Sequence, residues 1–457
     1  MQLPEEKEYT LPVIAYGAGG EGICKIDGYT VFVPFAAVGD VISMRLLKAG
    51  KRFGYGKLLK VLAPSADRVL PACGQFGVCG GCSLLHLSAD AQKAFKRQRV
   101  ADCLAHVGGL CDCLVHETVS LNATAYRNKV MLPVAPGPDG APQAGFYAPK
   151  SHDIVPSDGC LLQPPENDAV TACVLSWMKK NKISAYDSAH HTGTVRHIYT
   201  RYGFATGELM VSVVANCREL PAADDLCRSL LALDLERFSI ASVMHNINQK
   251  PGNTILQPKS TILHGRDYIF DKIGPLTFKI SHNAFFQVNP SVTAFLYEKA
   301  LALCGLVGNE TVFDLYCGAG TISLFLAQRA KQVIGVEIVP QAVADARFNA
   351  TLNHMDNAVF YEGDAPQTVQ KLYAQGNRAD VVVVDPPRKG CDETLLCTIR
   401  DMAPRRVVYV SCDPATLARD AKVLSGFGYR MAEAHPFDMF PGTPHVETVA
   451  ALEKHAL

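Results

Sequence analysis

Two short runs in this chain carry groups that could do covalent chemistry. Ser411-Cys412-Asp413-Pro414 ends the apolar run RVVYVS, and Asp385-Pro386-Pro387-Arg388 ends the run DVVVVD. Only the thiolate of a cysteine is a nucleophile. A helix opening at Pro414 would favour that anion at Cys412 through its N-terminal dipole. Downstream, His445 and Glu447 lie in the apolar run 445–454. A carboxylate buried there would have its pKa raised and could serve as a general base, with His445 as the rival.

A second set of residues suits a cofactor. The run Asp314-Leu315-Tyr316-Cys317-Gly318-Ala319-Gly320-Thr321 follows an apolar strand and opens a helix, and Glu337, Asp364 and Asp385 end the next three apolar runs. Glycines let backbone approach a ligand, and an acid ending the second strand can grip ribose hydroxyls. Any one of these acids could simply cap the following helix. The ordered set suits S-adenosylmethionine, which has a ribose, an adenine, an ammonium and a sulfonium to be held. The full dinucleotide fingerprint is missing, so NAD fits less well.

The acceptor follows from what surrounds the donor. Asp385-Pro-Pro-Arg388 is like the (N/D)PP(Y/F) loop of amine methyltransferases, but an arginine replaces the ring that stacks on an amine. A pyrimidine C5 is a poor nucleophile and needs covalent activation. Cys412, one strand from Asp385, could add to C6 of a uracil, and Glu447 could then remove the C5 proton.

A third cluster is metal-like. Cys73-x5-Cys79-x2-Cys82 supplies three thiolates on a glycine-rich loop, and a fourth ligand must come from elsewhere. Four thiolates suit a [4Fe–4S] cluster or zinc, although the paired CxxC knuckles usual for zinc are missing. Cys111 and Cys113 read as core thiols.

These residues need elements to position them. The 457 residues suggest about three domains, and 48% hydrophobic against 19% charged residues excludes global disorder. Forty-four basic residues balance 44 acidic ones, which excludes a polycation but leaves room for local basic faces. No apolar run approaches the ~18 residues of a membrane span. With no leader-like start, the 16 cysteines read as reduced thiols or ligands in the cytosol. Residues 9–62 read as small-barrel β structure. Its six basic residues (Arg45, Lys48, Lys51, Arg52, Lys57 and Lys60) interleave with Phe53 and Tyr55, a pattern that suits single-stranded nucleic acid. A polar helix over 88–107, carrying Lys93, Lys96, Arg97 and Arg99, offers a second basic face and could pack on the C-terminal part. Residues 123–280 read mostly as strand, with a turn-rich excursion at 133–149. The last 170 or so residues alternate continuous apolar strands with helices over 340–353, 366–375, 393–402 and 414–425, as in a doubly wound parallel sheet.

In this order, FDLYCGAG, GVE, GDA, DPPRKG, YVSCDPATLARD and HVETV resemble the RNA uracil-C5 methyltransferases, and Phe285-Phe286-Gln287-Val288-Asn289 looks like that family's FFQ-x-N element. The resemblance spans essentially the whole chain. It implies an α/β multidomain protein: an OB-like TRAM barrel at 1–63, a central α+β iron–sulfur and RNA-binding domain at 64–284, and a Rossmann-like class I methyltransferase domain at 285–457. By this likeness Cys412 is the nucleophile and Glu447 the base. Gln287, Tyr316, Thr321, Glu337, Asp364 and Asp385 fall on donor-binding positions, and Asp385 and Gln287 can also touch the target base. Cys160, in a CxLL context, is the fourth ligand beside Cys73, Cys79 and Cys82. Asp413, Thr321 and Asp364 depart from the family's commoner asparagines. The likeness implies a monomeric, cytoplasmic enzyme making 5-methyluridine with S-adenosylmethionine and a [4Fe–4S] cluster. It favours 23S ribosomal RNA over transfer RNA as partner, the target uracil being flipped out. A catalytically idle RNA-binding protein and a redox-sensing cluster protein are the readings of other classes.

Overall fold

The computed structural model describes residues 5–455; residues 1–4 and 456–457 lie outside the described residues. Three large sheets organise the chain. Residues 8–63 form a six-stranded sheet whose long strands Val41–Ala49 and Phe53–Ala63 pair antiparallel. It packs on its own core of Val13, Cys24, Val31, Val33, Ile42, Met44 and Leu46. A seven-stranded sheet spans Lys129–Pro136 to Ser260–Gly265. The helices Glu166–Lys180 and Ala223–Leu231 cover it through Val170, Val174, Trp177, Leu226 and Leu230.

The third sheet has eight strands in the order Ala358–Glu362, Gln332–Glu337, Thr311–Leu315, Val381–Val384, Arg406–Ser411, Glu447–Lys454, Tyr429–Phe437 and Leu114–Val115. The first five are mutually parallel, and Glu447–Lys454 runs antiparallel to Arg406–Ser411. The all-valine strand Val381–Val384 shows why these strands read as continuous apolar runs. Val381 and Val383 enter one core layer while Val382 and Val384 enter the other, so both faces are covered. The order reverses between Thr311–Leu315 and Val381–Val384, the kind of crevice where doubly wound sheets bind ligands.

Several expectations are corrected. The polar helix runs Ala89–Cys103 and ends in a single π-turn, Leu104–Gly108, closed by Gly109 at φ 69°. Its four cations are all engaged within the protein. Lys96 is fully buried in an ion pair with Asp438, Arg99 donates to the Pro444 carbonyl, Arg97 binds Glu117 and the Val115 carbonyl, and Lys93 pairs with Asp90. The helix instead locks the segment before Glu447, and residues 114–115 just beyond it form the outermost strand of the eight-stranded sheet. The turn-rich excursion is mainly a hairpin, with Lys129–Pro136 and Pro142–Tyr147 closed by a turn at Gly137–Gly140. Cys111 is exposed rather than a core thiol. Among the described residues no helix is long and apolar enough to cross a membrane.

Candidate active site

The carboxyl ends of the parallel strands gather nearly all the candidate residues. Asp364 follows Ala358–Glu362, Glu337 ends Gln332–Glu337, Tyr316 to Thr321 follow Thr311–Leu315, Asp385 follows Val381–Val384, and Cys412 follows Arg406–Ser411. Glu447 begins its antiparallel strand at the same edge, because Thr448 pairs with Ser411. Gln287 is buried on the loop before the helix Pro290–Cys304. That loop is tied in place by Asn128 donating to the Gln287 carbonyl (2.8 Å) and by Asn289 donating to the Met439 carbonyl (3.5 Å).

The glycine loop is held open by its neighbours. Glu337 accepts from the Gly318 N–H at 3.1 Å and the Val339 N–H at 2.9 Å. Tyr316 adopts φ 66°, a left-handed conformation that costs a non-glycine residue about 1–3 kcal/mol and tends to mark ligand clamps. Gly318 has φ 54°, and a Cβ there would meet no heavy atom within 4 Å, so the loop faces open space at the switch point. The Thr321 hydroxyl lies 3.0 Å from the Tyr297 hydroxyl, tying the helix Thr321–Ala327 to Pro290–Cys304. The Asp364 carboxylate accepts from the Gln367 N–H at 3.5 Å and Asp413 from the Ala415 N–H at 2.9 Å, so these two acids do cap helices. Asp385 does not: it is partly buried, and desolvation, then the charges of Glu447 and Asp314, push its pKa well above its usual value. The open loop, the ribose-height acid Glu337 and the uncompensated carboxyl of Asp385 fit a donor with hydroxyls at one end and positive charge at the other.

Burial also governs the two candidates for covalent chemistry. Glu447 is 4% exposed, and desolvation pushes its pKa up to about 7, with Arg388 opposing the rise. Cys412 is half-buried, and its thiol is pushed up to about 11 by burial, then by Glu447 and Asp385. The expected lowering by the helix dipole is therefore outweighed. The resting group is a neutral thiol, and positive charge must be brought to it before it ionises. Arg388, the arginine of the DPPR loop, acts on Cys412, Glu447 and His445 alike, and it is the residue whose role the sequence reading did not assign. Its place in an otherwise aromatic position of the loop was the available signal. His445 is held below its usual pKa, by burial and then by Arg388, and its ring packs edge-on to Phe440. The lowered pKa makes His445 the weaker proton acceptor beside Glu447, which is raised to about 7.

Cys73, Cys79, Cys82 and Cys160 line one cavity of about 160 Å³. Burial and then the mutual charges of Cys160, Cys79 and Cys73 push Cys82 up to about 12, so a cationic group would relieve the set. Among the described residues, the ligand group with all atoms within 4.8 Å of one another is elsewhere. No three of these four sulfurs all lie within 4.8 Å of one another. The thiol loop also braces the base. The Ser83 and Leu84 N–H groups both donate to the Gly442 carbonyl at 2.9 Å, five residues before Glu447.

The exposed face of the N-terminal sheet has an aromatic triad. Phe32, Phe53 and Tyr55 have ring centroids 5.6–5.9 Å apart, Phe53 and Tyr55 are exposed, and Lys150 from the central part lies 5.7 Å from the Tyr55 ring. Arg45 there is already paired with Glu8.

Comparison with known proteins adds independent findings. The profile of the tRNA (Uracil-5-)-methyltransferase family matches residues 258–455. A Halalkalibacterium halodurans protein described as an uncharacterized RNA methyltransferase is 46% identical over 440 residues, covering 95% of this chain and 94% of that one. A Clostridium tetani protein described in the same words is 45% identical over 442 residues, covering 96% and 95%. The solved Pyrococcus abyssi tRNA (uracil-54, C5)-methyltransferase, in complex with S-adenosyl-L-homocysteine, superposes with a TM-score of 0.77 at 28% identity, over 97% of this chain and 100% of that one.

Proposed function

The chain belongs to the uracil-5 family of RNA methyltransferases, and on that premise we propose that it methylates C5 of a uridine in RNA through a covalent bond from Cys412 to C6. S-adenosylmethionine, when bound, supplies an electrophilic methyl group. The gathering of Cys412, Glu447, Asp385 and Arg388 at one sheet edge carries the reading. Glu337 and Asp364 hold the donor's nucleoside end, with Tyr316, Thr321 and Gln287 completing its walls. Arg388 and the donor's positive charge favour the Cys412 thiolate. The sulfur adds to C6, and C5 becomes an enolate-like carbon that takes the methyl. Glu447 then removes the C5 proton, the S–C6 bond breaks, and the thiolate returns. Asp385, whose pKa is raised by desolvation, would in its protonated form donate a hydrogen bond that an ionised carboxylate could not. An idle RNA-binding protein would have no use for the Cys412–Glu447 pair.

Cys73, Cys79, Cys82 and Cys160 would hold a [4Fe–4S] cluster that stiffens the loop before Glu447 and needs no redox change. Anaerobically purified protein should then carry about four iron per chain; zinc without iron would exclude the cluster. Residues 1–63 act as a TRAM-type RNA-binding domain and 64–284 as the central cluster domain, ahead of the catalytic domain 285–457, in a cytoplasmic monomer.

The substrate we favour is 23S ribosomal RNA, because the four-thiol cavity and the aromatic N-terminal face occur together. Transfer RNA is the second reading, favoured by the full-length likeness to the Pyrococcus abyssi enzyme. Mapping 5-methyluridine in both RNAs from a deletion strain separates them. Loss from ribosomal RNA alone supports the first, loss from transfer RNA alone the second, and loss from neither refutes the function.

A further inference from the structure

On the far side of the eight-stranded sheet from the donor loop, the two outermost strands bring together His116, Glu433 and His435. Among the described residues they are the one group of three potential ligands whose donor atoms all lie within 4.8 Å of one another. His116 Nε2 is 2.7 Å and His435 Nε2 3.3 Å from Glu433 Oε2. The longer of these separations matches the ~3.3 Å edge of a tetrahedral zinc site with nitrogen and oxygen ligands, and the shorter lies below it. The two imidazole rings lie nearly parallel, with centroids 4.1 Å apart.

The backbone builds this arrangement. Leu114–Val115 pairs in parallel with Tyr429–Phe437, setting Leu114 beside Glu433, and the His116 N–H donates to the Ala434 carbonyl at 3.0 Å. The spacing Glu433-x-His435 then puts both side chains on one face of the strand. An ordinary hydrogen-bonded trio would satisfy its buried atoms, and this one does not. The His435 side chain is 9% exposed, and its Nε2 has no hydrogen-bond partner although it points to the carboxylate. His116 and Glu433 are partly exposed, which gives an ion an entry path and leaves room for water ligands.

We propose that His116, Glu433 and His435 form a binding site for one divalent transition-metal ion of the zinc class, separate from the four-cysteine cavity. The ion would staple the segment after the Ala89–Cys103 helix to the edge strand that leads into Asp438, the partner of buried Lys96. It would thereby set the loop before Glu447 from the side opposite the thiol loop.

Cobalt(II) titration of the full chain tests this. A nitrogen–oxygen set gives visible d–d absorption without the near-ultraviolet sulfur-to-cobalt band of a thiolate site, so the two metal sites separate in one spectrum. The expected result is a saturable sulfur-free component that disappears in His116→Ala and in His435→Ala. Zinc should also raise the unfolding temperature of the wild type more than that of His116→Ala. His116 is partly exposed, so its variant should fold even where His435→Ala does not. Absence of the sulfur-free component in the wild type, or its survival in His116→Ala, would overturn the proposal.

Discussion

Cys412 stands opposite Glu447. Ser411 pairs with Thr448 in the antiparallel ladder, and continuing that register by one residue sets the thiol-bearing Cα against the carboxylate-bearing one. The nucleophile and the base thus come from neighbouring strands at one sheet edge, and the charge of Glu447 is among the causes that raise the Cys412 pKa. A carboxylate that hinders ionisation of the thiol at rest is well placed to receive a proton once the thiol has been consumed.

This coupling has a stability consequence. Burial raises Glu447 from 4.5 to about 7, so the folded state prefers the protonated acid. Its contribution is fully present below pH ~4.5 and is lost as pH rises toward ~7. Glu447→Gln does not titrate. It should unfold at a higher temperature than the wild type at pH 8, with the gap shrinking at pH 5. The 2.5-unit difference corresponds to on the order of 3 kcal/mol at alkaline pH. Thermal unfolding of the two proteins across this range checks it, and an unchanged gap would mean Glu447 ionises freely in the fold.

Arg388 opposes the raised pKa of both Cys412 and Glu447. Arg388→Met should lower single-turnover methylation by about 10²-fold, within the range for a lost charge-stabilising group. It should also move the pH–rate profile to higher pH, while donor affinity changes little. A drop without a profile shift would assign Arg388 to RNA contact alone.

Asp385 is partly buried with a raised pKa, so its hydrogen-bonding capacity can be tested apart from its charge. Asp385→Asn should keep much of the donor affinity measured by calorimetry, and Asp385→Ala should lose affinity and turnover together. Equal donor affinity in Asp385→Ala and the wild type would remove this residue from the donor site.

The two basic faces expected from sequence should behave differently. Phe53→Ala and Tyr55→Ala should each weaken RNA binding, by about 1–3 kcal/mol if a base stacks there, and leave donor binding intact. Lys96→Met should leave the buried Asp438 carboxylate unpaired and destabilise the fold by about 3–5 kcal/mol. It should not change the salt dependence of RNA affinity, because Lys96 reaches no phosphate. Binding isotherms at several salt concentrations, together with denaturant melts, distinguish these outcomes.

The difference between those faces shows what a sequence can carry. The C-terminal strands were legible because Val381–Val384 and its neighbours are covered on both sides, which leaves no polar alternation to confuse the pattern. Glu337, Asp385 and Cys412 were legible because each lies at the carboxyl end of such a strand. The helices Glu166–Lys180, Ala223–Leu231 and Pro290–Cys304 went unread, the first two inside the stretch 123–280 whose apolar runs read mostly as strand. The burial of Lys96 could not be read from the Ala89–Cys103 helix, because its partner Asp438 lies 342 residues away. The raised pKa of Cys412 was hidden for the same reason: local sequence shows the helix dipole, whereas Glu447 and Asp385 arrive through the sheet.

The most direct test of the account is the fate of the protein–RNA adduct in Glu447→Gln. This variant keeps the thiol and the donor site but cannot take the C5 proton. Incubation with RNA and methyl-labelled donor should accumulate a denaturation-resistant complex carrying the label, and that complex should be absent from Cys412→Ala and from the double variant. Normal turnover by Glu447→Gln would pass the proton to His445 or water. Formation of 5-methyluridine by Cys412→Ala would contradict the covalent mechanism itself.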